Sequence, residues 1–292
     1  MIAGVCCVMR RTCPCLYVKG SQGQAPHGFN NLEKIVKAKQ KALEAELSQT
    51  SGGQLEARLT SVQPKSKPFL LLERLVNTRL KGFTAIIVEV EAEVASDTLR
   101  CSEYVNWGAD AIAIAANIDA IAIPHIHQLS AALSVPIMGA DWIIHPLQIA
   151  QTAEAGASAV RLVYAVLKKG TAAILRYTQA LGLDAIVEVV NLKELEEIAT
   201  LGVATYGINL SVGLSLPIPG FRQDIAKSLL GNIPFGCYSI VGVSSAEEAL
   251  EMRLAGADAV YIKQEVLERY EASGNSQETF LQNLRDSLTG DD

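Results

Sequence analysis

Hydrophobic residues fall into short runs that recur at regular intervals between residues 84 and 263. The runs are mostly apolar and rich in β-branched side chains, so each is predicted to be a buried strand. The predicted strands are 84–90, 111–115, 135–140, 159–164, 185–190, 205–209, 237–242 and 259–263. Between them lie segments with apolar residues every three or four positions, which is typical of helices. Apolar strands that alternate with helices pair in parallel, with the helices covering them.

Eight such units in about 200 residues fit a single (β/α)8 TIM barrel of the α/β class. The alternative is an open, doubly wound sheet, which normally carries a glycine-rich phosphate turn after its first strand. The corresponding segment here, VEVEAEVASD (88–97), has no glycine. The sequence therefore favours the barrel.

The pattern before the first strand predicts additional helices. Residues 31–47 have the spacing of an amphipathic helix, and 68–79 predict a second, shorter one. The stretch 48–66 between them is polar and contains Gly-Gly and proline, so we expect a loop. Further along, Ser245 with Glu248 three positions later is the capping-box pattern of a helix start.

The first thirty residues contain no acidic residue, and the first acid is Glu33. An acid-free leader with Arg10 and Arg11, followed by a charged helix, is typical of an organelle transit peptide. We therefore expect residues 1–30 to be a transit peptide for the plastid (chloroplast). The alternative locations are mitochondrial or cytoplasmic, and the alternative interpretation of residues 1–30 is a disordered leader. Residues 31–292 would form the barrel domain.

Composition narrows the classes of function. The 292 residues carry a net charge of −6 and no dense Lys/Arg cluster with aromatic residues, so we expect no nucleic-acid partner. No apolar run approaches the ~18 residues of a membrane span. The four cysteines within residues 1–15 lack zinc-site spacing, and we expect neither a metal nor a cofactor. A metal site at His125, His127 and His145 is the alternative to solvated loop histidines.

Functional residues of such barrels lie at the C-terminal ends of the strands. A polar side chain inside a barrel strand must be hydrogen-bonded or paired there, so polar residues at these ends are candidates. They are Glu89, Glu91, Asp141, Trp142, Arg161, Glu188, Asn209, Lys263 and Gln264.

Four strand ends resemble motifs of the indole-3-glycerol phosphate synthase family. The first, VEVEAEVAS (88–96), is similar to the family's A-E-V-K-K-x-S-P-S. The third, IMGADWIIHPLQI (137–149), is similar to L-R-K-D-F-I-I-D-P-Y-Q-I. IVEVV (186–190) and GINLS (207–211) correspond to L-V-E-V-H and G-I-N-N-R. The likeness extends from about residue 31 to about residue 288 and includes the family's extra N-terminal helices.

This resemblance implies a lyase reaction of tryptophan biosynthesis, a ring closure with loss of carbon dioxide and water. The reaction needs a lysine as general acid, a carboxylate base, further cations and a phosphate cup. Glu89, Glu188 and Asn209 match catalytic positions of the family. Asp141 is a family feature, and Trp142 stands where an aromatic residue packs on the substrate ring.

Other family positions carry different residues. Ala140 stands in place of the expected general-acid lysine, and Glu91 in place of the first-strand lysine. The remaining replacements are Gly139 and Ser211 for arginines, Ile240 and Val241 for the E-S of the seventh strand, and Lys263 and Glu265 in the phosphate motif. Loss of a general acid typically costs 10²–10⁴ in rate. We therefore expect a pseudoenzyme with a binding, regulatory or assembly role.

Two enzymatic alternatives stay open. In the first, family activity persists because Arg161 or Lys263 replaces the missing lysines. In the second, the chain is an enzyme for a different substrate, one that fits the acidic side chains at the mouth of the barrel. Glu188 is either the base or a relic paired inside the barrel. Arg161 either pairs with Glu188 or Asp141 or forms a new anion site, and Lys263 either binds phosphate or extends into solvent. The expected partners are a small anionic or phosphorylated ligand and a protein.

Overall fold

Eight parallel strands close into a barrel in which each strand pairs with its neighbours in sequence, and β8 pairs with β1. The structure is a computed structural model that describes residues 27–116, 122–210 and 221–289. The predictions for residues 1–26 and for Ser211 lie outside the described residues. The strands are β1 Ala85–Val90, β2 Ala111–Ala115, β3 Ile137–Ala140, β4 Ala159–Val163, β5 Asp184–Val189, β6 Thr205–Ile208, β7 Tyr238–Val243 and β8 Ala259–Lys263. The predicted (β/α)8 TIM barrel is confirmed.

Helices surround the strands and extend the fold at both ends of the chain. Before the barrel come α1 His27–Leu47, α2 Gly52–Ser61 and α3 Leu70–Leu80. Around it lie α4 Ala92–Ala95, α5 Thr98–Asn106, α6 Ala122–Ala132, α7 Pro146–Glu154, α8 Tyr164–Leu167, α9 Thr171–Ala180, α10 Leu192–Ile198, α11 Phe221–Leu230, α12 Ala246–Leu254, α13 Gln264–Ala272 and α14 Gln277–Ser287. Within the described ranges, no helix is long and apolar enough to cross a membrane.

Helix α2 contradicts the prediction that residues 48–66 form a loop. The side chain of Ser51 accepts the backbone N–H of Gln54, and the Gln54 side chain accepts the N–H of Ser51. This capping box satisfies two amide groups at the helix start and offsets the low helix propensity of the glycines that follow. Leu59 is buried against the core, so tertiary packing also favours the helix.

Helix α3 closes the N-terminal end of the barrel. Leu71 and Leu75 are fully buried and join the interior cluster that includes Ala85 and Ala259 at the starts of β1 and β8. The backbone N–H groups of Leu71 and Leu72 donate to the buried carboxylate of Asp184 on β5, at 2.8 and 3.1 Å. A carboxylate at a helix N-terminus satisfies amides that have no partner within the helix. Leu71 and Leu75 thus fill the barrel interior at its N-terminal end.

The last two helices pack on the outside of the barrel. The rings of Tyr270 and Phe280 meet edge to face, with centroids 5.0 Å apart. The hydroxyl of Tyr104 on α5 donates to Gln277 at 2.8 Å. The guanidinium of Arg285 pairs with Asp110, just before β2. Helices α13 and α14 therefore belong to the folded domain.

Candidate active site at the C-terminal end of the barrel

Charged and hydroxyl side chains of four strands project into the barrel, two from near the C-terminal ends of their strands and two from mid-strand. Inward and outward residues alternate along each strand, so Glu89 follows Ala85 and Ile87 on the inner side of β1. Glu89, Arg161, Glu188 and Tyr261 are all buried there. Buried charges need partners, and the contacts among these side chains supply them.

Arg161 lies at the centre of this group. Its Nη1 lies 3.5 Å from Oε2 of Glu89, and its Nη2 donates to the carbonyl of Ala140 at 2.8 Å. The guanidinium also lies over the Trp142 ring, 5.5 Å from the centroid. An internal ion pair of Arg161 was predicted with Glu188 or Asp141; the structure places Glu89 in salt-bridge contact with Arg161. Burial lowers the pKa of Arg161, but its electrostatic interactions with Tyr261, Glu188, Glu89 and Asp141 raise it overall.

Sequence reasoning missed Tyr261, which points into the barrel from the middle of β8. Its hydroxyl donates to Oε2 of Glu89, the same oxygen that faces Arg161. Burial, and next the charge of Glu89, raise the pKa of Tyr261 well above its usual value. Tyr261 therefore stays a hydrogen-bond donor to Glu89. Only the alternation of inward-facing and outward-facing residues along β8 could have indicated this role.

The rim above β3 is joined to the first helix. Nζ of Lys39 on α1 lies 2.7 Å from Oδ1 of Asp141, and both side chains are largely shielded from solvent. The same oxygen accepts the backbone N–H of Trp142 at 2.7 Å. Lys39 was also missed, because about a hundred residues separate it from Asp141 in the sequence. The structure thus brings Asp141, Trp142 and Arg161 together, as predicted for strand ends, and adds a cation from outside the barrel.

The end of β6 has an unusual backbone. Asn209 is buried and has φ 56°, a left-handed conformation that is uncommon for a residue other than glycine. Neither atom of its side-chain amide has a hydrogen-bond partner among the described residues. The turn directs Leu210 into the barrel, where it joins Ile186 in the interior cluster and lies over Gly207. Leu210 therefore makes this part of the interior apolar.

The opposite side of the rim is acidic. Lys263 ends β8 directly beside Glu89 in the strand register and is half-buried. The side chain of Gln264 accepts the backbone N–H of Glu91 at 2.8 Å. Partial burial, and next the charges of Glu93, Glu268, Glu89 and Glu265, raise the pKa of Glu91. Glu91, which stands where the family resemblance implies a lysine, is therefore surrounded by negatively charged side chains.

In the described part of the chain, His125, His127 and His145 do not come together as a metal-ligating group. His145 is buried rather than solvated, and its Nδ1 accepts the backbone N–H of Leu147 at 3.1 Å as the cap of α7. His125 and His127 lie on α6 rather than in a loop. Among the described residues, no group of three or more metal-ligating side chains comes together.

Comparison with known proteins identifies relatives along nearly the whole chain. The family described as indole-3-glycerol phosphate synthase matches residues 32–278. The chain is 27% identical to indole-3-glycerol phosphate synthase of Carboxydothermus hydrogenoformans over 266 residues, which cover 85% of this chain and 96% of the relative. It is 26% identical to the protein of the same name from Acaryochloris marina over 269 residues, 86% of each chain.

Solved structures confirm the fold alone, because their sequences are distant. The tryptophan synthase alpha chain of Legionella pneumophila has a TM-score of 0.55 at 14% identity and covers 75% of this chain and 96% of its own. Tryptophan synthase from M. tuberculosis has a TM-score of 0.56 at 14% identity, covering 74% and 97%.

Proposed function

Because the chain belongs to the indole-3-glycerol phosphate synthase family, we propose that it keeps the family's barrel as a binding, regulatory or assembly scaffold and no longer performs the ring closure. The observation that carries the proposal is at the end of β3. Ala140 is buried there, and its carbonyl accepts the Arg161 guanidinium. A methyl group cannot donate a proton, and Arg161 is already paired with Glu89. Arg161 is therefore a poor substitute for the missing general acid.

The surroundings of Glu188 support the same conclusion. Glu188 is fully buried on β5, and a base needs an acid partner across the site to drive loss of water. Leu210, just after β6, and Ile240, on β7, fill the neighbouring interior with apolar side chains. Neither can stabilise the charge that develops in a ring closure. Glu188 is thus a buried relic held by the interior network.

The phosphate cup is also replaced. The resemblance implies glycine and serine at positions 263 and 265, where backbone N–H groups could approach a phosphate closely. Lys263 and Glu265 stand there instead, and Glu265 contributes to the negative field around Glu91. A carboxylate at this place repels a phosphorylated substrate, so ground-state binding would weaken together with catalysis.

A direct enzyme assay tests the proposal. The full chain, supplied with the carboxyphenylamino deoxyribulose phosphate that the family uses, is expected to form no indole glycerol phosphate. The Carboxydothermus relative, assayed in parallel, serves as the positive control. We expect the chain not to restore growth of a tryptophan-requiring bacterium that lacks its synthase. Turnover within about tenfold of the control, or rescue of growth, would refute the loss of activity.

Binding can persist after catalysis is lost, and the mouth retains groups suited to a small anionic or phosphorylated ligand. The buried amide of Asn209 has no partner among the described residues, and Trp142 offers an aromatic face beside Arg161. Fluorescence of Trp142 in a Trp107→Phe background would report binding of inorganic phosphate or of the family's substrate. Asn209→Ala should weaken that signal. No saturable change with either probe would count against a ligand role and leave a protein partner as the binding function.

We also propose where in the cell the protein acts, from the composition of residues 1–30. Residues 1–30 contain no acidic residue, which supports transit-peptide behaviour and a place in the plastid. Residues 1–30 fused to a fluorescent protein should direct it to the organelle. Diffuse cytoplasmic fluorescence would refute this part of the proposal without affecting the rest.

One observation favours a second candidate, an enzyme with a changed substrate. The raised pKa of Glu91 reflects burial and then neighbouring carboxylates, which together suit a cationic ligand. Screening amines and divalent metal ions by thermal shift would test it. A saturable increase in Tm with an amine that Glu91→Gln abolishes would identify a cationic ligand, and turnover of that ligand would favour this candidate over the non-catalytic scaffold.

A further inference from the structure

A cavity of about 320 Å³ opens at the end of the barrel opposite the rim that holds Asp141 and Lys263. Its walls come from α3, from the segment between α6 and β3, and from the turn between α7 and β4. Its volume matches the smaller ligand pockets of proteins. Its polar lining residues are Glu73, Arg74, Asn77, Ser130, Ser134 and Ser158.

Helix α3 presents one polar face to this cavity. Asn77 lies four positions after Glu73 and three after Arg74, so it is a surface neighbour of both, and all three residues line the cavity. The other side carries Leu71 and Leu75, which are buried in the barrel interior. Packing on one side and the Asp184 carboxylate at the N-terminus hold the helix in place. The polar face is therefore presented by a rigid element, as a binding site requires.

Two oppositely charged side chains of the cavity, Glu73 and Arg74, lack protein partners among the described residues. Within the described residues, the side chains of Glu73, Arg74 and Ser134 make no hydrogen bond or ion pair. Five residues further along the same helix, Arg79 pairs with Asp258 at 3.0 Å. Adjacent charges of opposite sign that line one cavity without pairing to each other leave both open to a ligand.

We propose that this cavity binds a zwitterion of amino-acid size. Its carboxylate would pair with the Arg74 guanidinium, and its ammonium group with the Glu73 carboxylate. Asn77 and Ser134 would donate further hydrogen bonds, and Leu133 would contact the aliphatic part. The site shares no residue with the mouth of the barrel and is independent of the function proposed above.

Titration of the full chain with glycine, alanine and leucine, followed by calorimetry, tests the proposal. Acetate and methylammonium, each with one of the two charges, are the comparison probes. We expect saturable binding of at least one zwitterion and at least about tenfold weaker binding of both single-charge probes, because each charged hydrogen bond contributes. Arg74→Gln and Glu73→Gln should each weaken zwitterion binding by about tenfold or more.

Matched control variants separate the site from a general change in surface charge. Arg176→Gln on α9 and Glu196→Gln on α10 change exposed residues of the same types far from the cavity in sequence and should leave binding unchanged. Absence of binding by every zwitterion would overturn the proposal, as would binding that survives both cavity substitutions or acetate binding as tight as that of glycine. The ring-closure assay reports on the mouth alone, so the two proposals can fail separately.

Discussion

Arg161 on β4 and Glu89 on β1 form an ion pair inside the barrel, with 3.5 Å between Nη1 and Oε2. The two strands are not neighbours, so the pair spans the barrel interior. Both residues are buried, and Tyr261 donates to the same Glu89 oxygen. The pair thus ties three strands together through one carboxylate.

Replacement of Arg161 by leucine should destabilise the fold strongly. The substitution leaves Glu89 in the interior without its cation, and breaking a buried pair costs about 3–5 kcal/mol. The free energy of unfolding, measured by denaturant titration, should fall by that amount. Arg176→Leu, a change at an exposed arginine, should stay within about 0.5 kcal/mol of the parent protein. An Arg161→Leu variant as stable as the parent would contradict the structural role of the pair.

Adding Glu89→Gln to Arg161→Leu should recover part of the lost stability, because the second change removes one orphaned charge. The same denaturant titration on the double variant measures this coupling. Additive losses from the two changes would mean that the residues do not interact.

Much of the fold was predictable because buried barrel strands appear in the sequence as short apolar runs. Strands β2 and β8 lie at the predicted 111–115 and 259–263, since both are apolar runs bounded by a glycine turn or polar residues. Helix α2 was missed because its stability comes from a capping box and from packing of Leu59. In the local sequence pattern, the Gly-Gly pair instead indicated a loop.

The site was predictable only as a set of strand ends. Asp141, Trp142 and Arg161 were expected to lie together because parallel strands end at one edge. The partners that define the site come from elsewhere: Lys39 from a preceding helix and Tyr261 from mid-strand. The inward turn of Leu210 depends on the left-handed backbone of Asn209, which no pattern of polarity reveals.

Stability should depend on pH through Asp184, whose pKa burial raises from 3.8 to about 6 despite the opposing hydrogen bonds from Leu72 and Leu71. Because the folded pKa is above the unfolded one, the ionised group destabilises the fold by about 3 kcal/mol above pH 6. That cost disappears as the pH falls from about 6 to about 4. The free energy of unfolding of the parent relative to Asp184→Asn should therefore rise on acidification through this window. A difference that stays constant between pH 7 and pH 4 would contradict the raised pKa.

The Lys39–Asp141 pair should hold α1 against the rim. Lys39→Met keeps the apolar stem but removes the charge, and a partly shielded ion pair contributes about 1 kcal/mol. Hydrogen exchange in α1 should therefore accelerate about fivefold to tenfold, while exchange in β1–β8 stays unchanged. Lys41→Met, at an exposed position of the same helix, is the matched control. Equal exchange in the two variants would show that the pair does not anchor the helix.

Gly242 on β7 should tolerate no side chain, because a Cβ there would lie 2.1 Å from the carbonyl oxygen of Asn209. Backbone atoms cannot give way as a flexible side chain can, so Gly242→Ala must displace the turn that buries Leu210. Overpacking of this kind costs about 1–3 kcal/mol, and here the displaced turn also carries a buried amide. Gly231→Ala is the matched control, because its nearest contact would be 3.6 Å from Lys227. Thermal unfolding should separate the two variants by several degrees, and equal Tm values would show that the turn at Asn209 is free to move.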